Sequence, residues 1–222
     1  LLKKGYNFKS NTDTEAILYS FIEWGKDCLE MFNGMWSFAI YDTKTNKLFI
    51  SRDRYGIKPF YYFQNEEFFI FSSEIPSLLE IIPNKPIANM QSIFDYLVFN
   101  RTDQSENTFF KGINKMLHGH YRIIDTNKSN NSKFHRWYNL RNEVKMKKGI
   151  KFTSREFRKL FIDAIKIRLR SDVPIGVTLS GGLDSSAIIS SLINDFNMKE
   201  INTFSAVYGK GRTGDEPEFI KI

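Results

Sequence analysis

The chain has 222 residues, 41% of them apolar and 15% aromatic, which is ample for packed cores in one large or two small domains, so disorder is not the expected class. Its single cysteine, Cys28, excludes an intramolecular disulfide framework. Neither a charged-then-apolar leader nor a run of about eighteen apolar residues appears, so a reducing cytoplasm is the expected setting and a membrane is not an expected partner. The formal charge of +7 raises phosphate-bearing partners, but the basic residues are dispersed except at 145–151, where they read as a solvated face, so specific nucleic-acid binding is not expected.

Leu1-Leu2-Lys3-Lys4-Gly5 reads as the end of a helix, which implies a preceding segment. Thr12 and Glu15 have capping-box spacing, and Ile17, Phe21 and Trp24 recur at helical spacing, predicting a helix from about Asp13. A second short helix is expected over 26–32, closed by Asn33-Gly34 as a left-handed C-cap, and Cys28 within it reads as a small buried thiol. The period then changes. Segments 35–41, 48–51, 58–63 and 68–72 are rich in aromatic and branched residues and are separated by turn-forming stretches, predicting an antiparallel meander. Trp36, Phe38 and Ile40 alternate with Met35, Ala39 and Tyr41, so both faces are apolar and layers are expected above and below the sheet.

The charged run Arg52-Asp53-Arg54 reads as structural: Gly56 serves the turn between two strands, and the three charges pair among themselves while remaining partly solvated. The aromatic wealth of 60–71 suits a sheet core. His118-Gly119-His120 lies between strand-like Met116-Leu117 and Tyr121-Arg122-Ile123 and reads as a strand-entry turn, because two histidines without further clustered ligands rarely hold zinc.

Segment 125–133 is polar and 142–151 is charged, placing a domain boundary near 140–152. Thr153 and Glu156 repeat the capping-box spacing, and Phe157, Leu160, Phe161, Ala164 and Arg168 fit an amphipathic helix packing onto the next strand. That strand is the apolar run 173–179, a helical pattern begins near Ala187, and 201–207 reads as a further strand. Helix, strand, helix, strand begins a parallel doubly wound sheet, whose ligands bind at the carboxyl ends of its strands. There lies Ser180-Gly181-Gly182-Leu183-Asp184-Ser185-Ser186, a glycine turn opening a helix. Such a turn gathers backbone N–H groups and the positive end of the helix dipole around one small volume, and the expected ligand is phosphate. Gly181 and Gly182 let the backbone approach, Ser180, Ser185 and Ser186 add donors, and Asp184 suits the divalent metal that accompanies nucleotide phosphates. The motif is neither a Walker A loop nor a dinucleotide fingerprint, and a turn that merely caps a helix is the alternative.

These seven residues resemble the PP-loop, whose members grip the β- and γ-phosphates of ATP so that the α-phosphate is attacked and pyrophosphate departs. Phe32-Asn33-Gly34-Met35-Trp36-Ser37-Phe38-Ala39-Ile40-Tyr41-Asp42, Ser51-Arg52-Asp53-Arg54-Tyr55-Gly56-Ile57-Lys58-Pro59-Phe60-Tyr61-Tyr62 and Phe71-Ser72-Ser73-Glu74-Ile75 resemble the class II glutamine amidotransferase domain, an αββα sandwich of the N-terminal-nucleophile (Ntn) hydrolases. With Ser171-Asp172-Val173-Pro174-Ile175-Gly176 and the PP-loop following, nearly the whole chain resembles the glutamine-hydrolysing asparagine synthetase family of the bacterial B type.

The resemblance implies an α+β domain at 1–140, an incomplete Ntn-hydrolase sandwich, a linker at 141–152, and an α/β domain at 153–222 that starts the PP-loop ATP pyrophosphatase sheet. It implies a catalytic N-terminal cysteine and an Asn-Gly oxyanion pair upstream of Leu1, matched by neither Cys28 nor Asn33-Gly34. Asp13 matches the aspartate that binds the α-amino group of glutamine; a first-turn acid favoured by the helix dipole is its plain structural role. Leu179 and Ala206 would frame the adenine, and Ser180, Gly181, Gly182, Leu183, Asp184, Ser185 and Ser186 would hold the phosphates, with Mg2+ on Asp184. Glutamine, aspartate and ATP are the implied substrates and a homodimer the implied assembly. Ammonia from glutamine would attack β-aspartyl-AMP, a reaction the 222 residues alone are not expected to complete. The alternatives are a related amidotransferase acting on surface-polysaccharide sugars or closing β-lactam rings, and a non-catalytic truncated paralogue.

Overall fold

The computed structural model describes residues 1–128, 132–146 and 153–207. The chain divides into two compact units, Leu1–Lys147 and Lys148–Ile222.

In the first unit, helix α1 (Asp13–Trp24) begins where the Thr12 hydroxyl accepts the Glu15 N–H at 3.4 Å. The expected box is only half closed. The Glu15 carboxylate accepts from the backbone N–H groups of Lys9 and Ser10, at 2.9 and 2.7 Å, and so pins the incoming chain rather than Thr12. Gly25, at φ 56°, ends α1, and a single 3-10 turn leads into α2 (Cys28–Met31). The second helix is shorter than 26–32 and has no left-handed cap at Asn33-Gly34. Phe32 leaves it in extended conformation, setting its ring edge-on to Trp36 at 5.4 Å and offering its carbonyl to Arg54.

Strands β1 (Ser37–Asp42), β2 (Lys47–Arg52), β3 (Tyr61–Gln64) and β4 (Phe69–Ser72) overlap the expected segments, with β1 and β3 starting later than the expected 35 and 58. Helices α3 (Ile75–Ile81) and α4 (Met90–Phe99) follow, then β5 (Ile113–Lys115), β6 (His120–Asp125), β7 (His135–Arg136) and α5 (Leu140–Met146). The four early strands do not form one meander. They divide between two antiparallel sheets, ordered β1-β2-β6-β7 and β4-β3-β5. The reason is edge occupancy: Ile50 of β2 pairs with Ala39 on one side and Arg122 on the other, so β2 has no free edge for β3, which takes β4 and β5 instead.

Alternation along the strands then builds the layers. Phe49 and Tyr121 join Cys28, Leu29 and Trp36 beneath α1 and α2. Ile50 and Ile124, from the opposite face of that sheet, meet Phe60, Tyr62 and Met116. Phe63 and Ile113, on the far face of the second sheet, meet Leu78 and Ile82 of the α3 region. Helix, sheet, sheet and helix therefore follow one another through the unit.

The two crossings between sheets, after β2 and after β5, are tied together. Arg52 donates to the carbonyls of Lys58 and Gly56, each at 2.7 Å, and to that of Met116, while the Gly119 N–H donates to the Asp53 carbonyl at 2.8 Å. This overturns mutual pairing of Arg52, Asp53 and Arg54. Asp53 is 1% exposed, and its carboxylate accepts the N–H groups of Tyr55, Ile57 and Lys58 at 3.0–3.1 Å, while Arg54 donates to the carbonyls of Phe32 and Glu30. A loop that crosses between layers leaves backbone groups without ladder partners, partly withdrawn from water, and these three side chains satisfy them. Gly56 and Gly119 adopt the left-handed conformations the turns require, at φ 67° and 64°.

Helix α5 occupies the start of the stretch read as a linker, initiated where the Asn139 side chain accepts the Arg141 N–H; residues 147–152, and most of the basic cluster with them, lie outside the described residues. The second unit runs through α6 (Ser154–Arg168), β8 (Gly176–Thr178), α7 (Leu183–Asn194) and β9 (Asn202–Phe204). Here the capping box closes fully: Thr153 and Glu156 exchange both bonds, at 3.2 and 2.8 Å. Helix α6 buries Ile165, whereas Phe157 and Leu160, expected to pack inward, are exposed; its Arg158 pairs with Asp195 at the end of α7. Strands β8 and β9 pair in parallel with α7 as their crossover. Both are shorter than the expected 173–179 and 201–207. Among the described residues no helix is long and apolar enough to cross a membrane.

Candidate functional site

The glycine turn lies at the carboxyl edge of the parallel pair. Thr178 stands opposite Phe204, and one step beyond, the Leu179 N–H donates to the Phe204 carbonyl at 2.9 Å while the Ser205 hydroxyl donates to the Leu179 carbonyl at 2.7 Å. These bonds hold Leu179 and the segment carrying Ala206 side by side. Ser205 was missed from sequence because a serine after a strand carries no pattern. Gly176 was missed too, although a Cβ there would stand 2.5 Å from a ring carbon of Phe204, so any larger residue would have to displace that ring.

After Ser180 the chain turns at Gly181, whose φ of 86° is left-handed, and enters α7 through Gly182. The helix starts at Leu183, earlier than the pattern near Ala187 implied, so Asp184, Ser185 and Ser186 stand in its first turn. The Ser180 hydroxyl accepts the Gly182 N–H at 3.3 Å and lies 3.1 Å from the Ser185 hydroxyl, which accepts the Ser180 N–H at 3.3 Å and also lies 3.1 Å from the Gly182 carbonyl. The two serines thus brace the turn from inside. The first intrahelical bond is Ser186 N–H to Gly182 carbonyl at 3.1 Å, leaving the N–H groups of Leu183, Asp184 and Ser185 at the open helix end. Helices α1, α4 and α6 have a Thr12, Asn89 or Thr153 side chain over that end; at α7 the cap is Gly182 and no side chain covers it. Leu183 is 85% exposed and Asp184 is exposed beside it. The arrangement presents aligned N–H dipoles, hydroxyls and one carboxylate at a strand edge, which is the chemistry of a phosphate and its metal.

The structure therefore brings Leu179, Ser180, Gly181, Gly182, Leu183, Asp184, Ser185, Ser186 and Ala206 together. Asp13 belongs to the other unit, where it is exposed in the first turn of α1. Cys28 is fully buried, and burial pushes its thiol up to about 11, which keeps it protonated and unreactive at neutral pH. His118 and His120 form the expected turn, with His120 Nδ1 2.7 Å from the His118 carbonyl, and no group of three or more metal-ligating side chains occurs among the described residues.

Comparison with known proteins adds two family matches. Residues 1–138 match the model of the glutamine amidotransferase domain, and residues 156–222 match that of asparagine synthase. A putative glutamine-hydrolysing asparagine synthetase 2 of Methanocaldococcus jannaschii is 38% identical over 100% of this chain and 43% of its own length. Asparagine synthetase 3 of Bacillus subtilis is 34% identical over 94% of the chain and 34% of its own, and amidase chyE of Penicillium rubens is 30% identical over 84% and 27%. The chain thus spans less than half the length of these relatives.

Proposed function

The chain belongs to the glutamine amidotransferase domain family, and from that membership, joined to the asparagine synthase match that follows it, we propose that it is part of an ATP-dependent carbon–nitrogen ligase, a glutamine-hydrolysing asparagine synthetase. We assign 1–140 to an Ntn-hydrolase-type αββα glutaminase domain, 141–152 to a linker and 153–222 to the start of a PP-loop doubly wound sheet. The helix, sheet, sheet, helix order supports the first assignment, and the parallel β8–β9 pair with its α7 crossover supports the last. A cytoplasmic setting and a homodimer complete the proposal.

The observation that carries it is the α7 N-terminus, open beneath the Gly181 turn at the carboxyl edge of a parallel pair. There the N–H groups of Leu183, Asp184 and Ser185 and the hydroxyls of Ser180, Ser185 and Ser186 would receive the β- and γ-phosphates of ATP, with the adenine between Leu179 and Ala206. An aspartate side-chain oxygen then attacks the α-phosphorus and pyrophosphate leaves; ammonia next attacks the acyl carbon and AMP leaves. The loop's donors act where charge builds on the departing pyrophosphate. Mg2+ commonly binds through one or two carboxylates plus phosphate oxygens and water, a donor set that exposed Asp184 fits; bound there, the ion would neutralise phosphate charge. Asp13 would hold the α-amino group of glutamine, Cys28 takes no part, and none of the 222 residues is assigned the glutaminase nucleophile.

Pyrophosphate release by the full-length protein, offered aspartate or other acids with glutamine or ammonia, tests this. Release should require aspartate, stop on chelation of divalent metal, and fall at least about a hundredfold in Asp184→Ala. Release indifferent to Asp184→Ala would sink the loop assignment. The similarity to amidase chyE favours a second reading with the same ATP chemistry and a different carboxylate acceptor; release dependent on another acid alone would establish that reading.

A further inference from the structure

On the outer face of the second sheet, a cavity of about 300 Å3 lies among β3, β5, the start of α3 and the loop 101–109 that follows α4. Tyr61, Ile75 and Phe109 give it an apolar wall, Lys115 and Arg101 are its cations, and Asp103 is its carboxylate.

Lys115 is out of place by ordinary rules. Its side chain is only 10% exposed, and its ammonium donates to the Thr102 carbonyl at 2.6 Å and pairs with Asp103. A desolvated ammonium requires an anion. The anion it has comes from a loop residue whose side chain is 85% exposed, so Asp103 reaches in from water while most of its surface stays hydrated. The Lys115 hydrogen bond holds the Asp103 carboxyl below the usual carboxylate range, so it is ionised at neutral pH. Arg101 adds a second positive charge at the rim; its guanidinium sits 5.1 Å over the Phe99 ring and meets no carboxylate at ion-pair distance among the described residues. The lining carries two cations and one carboxylate, leaving a positive balance beside an apolar wall.

We propose that this cavity binds a small carboxylic acid with a compact apolar body. The acid's carboxylate displaces Asp103 from the Lys115 ammonium and also meets Arg101, while its body lies against Tyr61, Ile75 and Phe109. The volume is at the low end of the roughly 300–1,000 Å3 of ligand pockets, which limits the body to about one aromatic ring. The proposal uses none of the residues assigned to amidation, so its failure leaves that reading untouched.

Benzoate is the probe and benzamide its neutral counterpart. Calorimetric titration of the full-length protein should give saturable benzoate binding, with benzamide at least about tenfold weaker for want of the charge-assisted bond. Asp103→Asn removes the internal competitor and should tighten benzoate about three- to tenfold, whereas Arg101→Gln should weaken it about threefold. Asp103→Asn should also lower the thermal midpoint, with benzoate raising it again by binding the folded state. Equal affinity for benzamide, no saturation by about 10 mM benzoate, or an Asp103→Asn protein whose affinity and midpoint do not respond as stated would each overturn the proposal.

Discussion

A buried carboxylate without a cationic hydrogen-bond partner is tolerated only when its oxygens are filled, and Asp53 fills them with the N–H groups of Tyr55, Ile57 and Lys58. The charges that look from sequence like a local ion-pair cluster are therefore backbone ligands. Arg52 serves carbonyls of both sheet crossings, and Arg54 ties the loop to the end of α2 while stacking 5.1 Å from Trp137. Alternating charges beside a glycine announce a turn, but which backbone groups will lack a ladder partner there depends on how the sheets stack. Asp53→Ala strips three part-buried N–H donors of their acceptor and leaves a gap where a fully buried side chain stood, so a loss of about 1–3 kcal/mol in denaturant unfolding is expected; a loss under about 0.5 kcal/mol would show that the loop relaxes or hydrates around the gap.

The two capping boxes show how an element's start can be legible while its bonding is not. Thr12 with Glu15 and Thr153 with Glu156 have the same spacing and both initiate helices, yet only the second closes reciprocally. The backbone of Lys9 and Ser10 curls over α1 and takes the Glu15 carboxylate, a competition set by the path of the preceding chain. In α6 the Thr153 backbone N–H is the chief cause holding the Glu156 carboxyl below its usual range. A folded-state value that is depressed stabilises the helix above the unfolded value of about 4.3, and that contribution is lost as pH falls through the lower folded value. Hydrogen exchange of the first-turn α6 amides should therefore speed up on acidification through that window, and Glu156→Gln should flatten the response. At neutral pH Thr153→Ala should cost about 1 kcal/mol, seen as exchange about fivefold faster.

For the molecule as a whole, strand β2 is the hinge of the first unit's architecture, because it is buried on both faces. Phe49 stacks on Phe21 at 4.6 Å in the helix-side core and Ile50 enters the core between the sheets. Phe49→Ala should cost about 3–5 kcal/mol and Ile50→Ala about 2–5 kcal/mol in urea unfolding, and a mild effect at either would mean that layer is not a packed core. The sequence alone determined that helices start behind Thr12 and Thr153, that strands rich in aromatic and branched residues fill 37–72, and that a glycine turn opens a helix after Ser180, because periodicity, caps and glycine conformations are set within a few residues. Only the tertiary structure decided that the early strands divide between two sheets, that the Arg52-Asp53-Arg54 run faces backbone, and that Lys115 and Asp103 meet at a cavity. Those outcomes depend on which strand edges are already occupied and which polar groups lose water, conditions set by residues tens of positions apart in the chain.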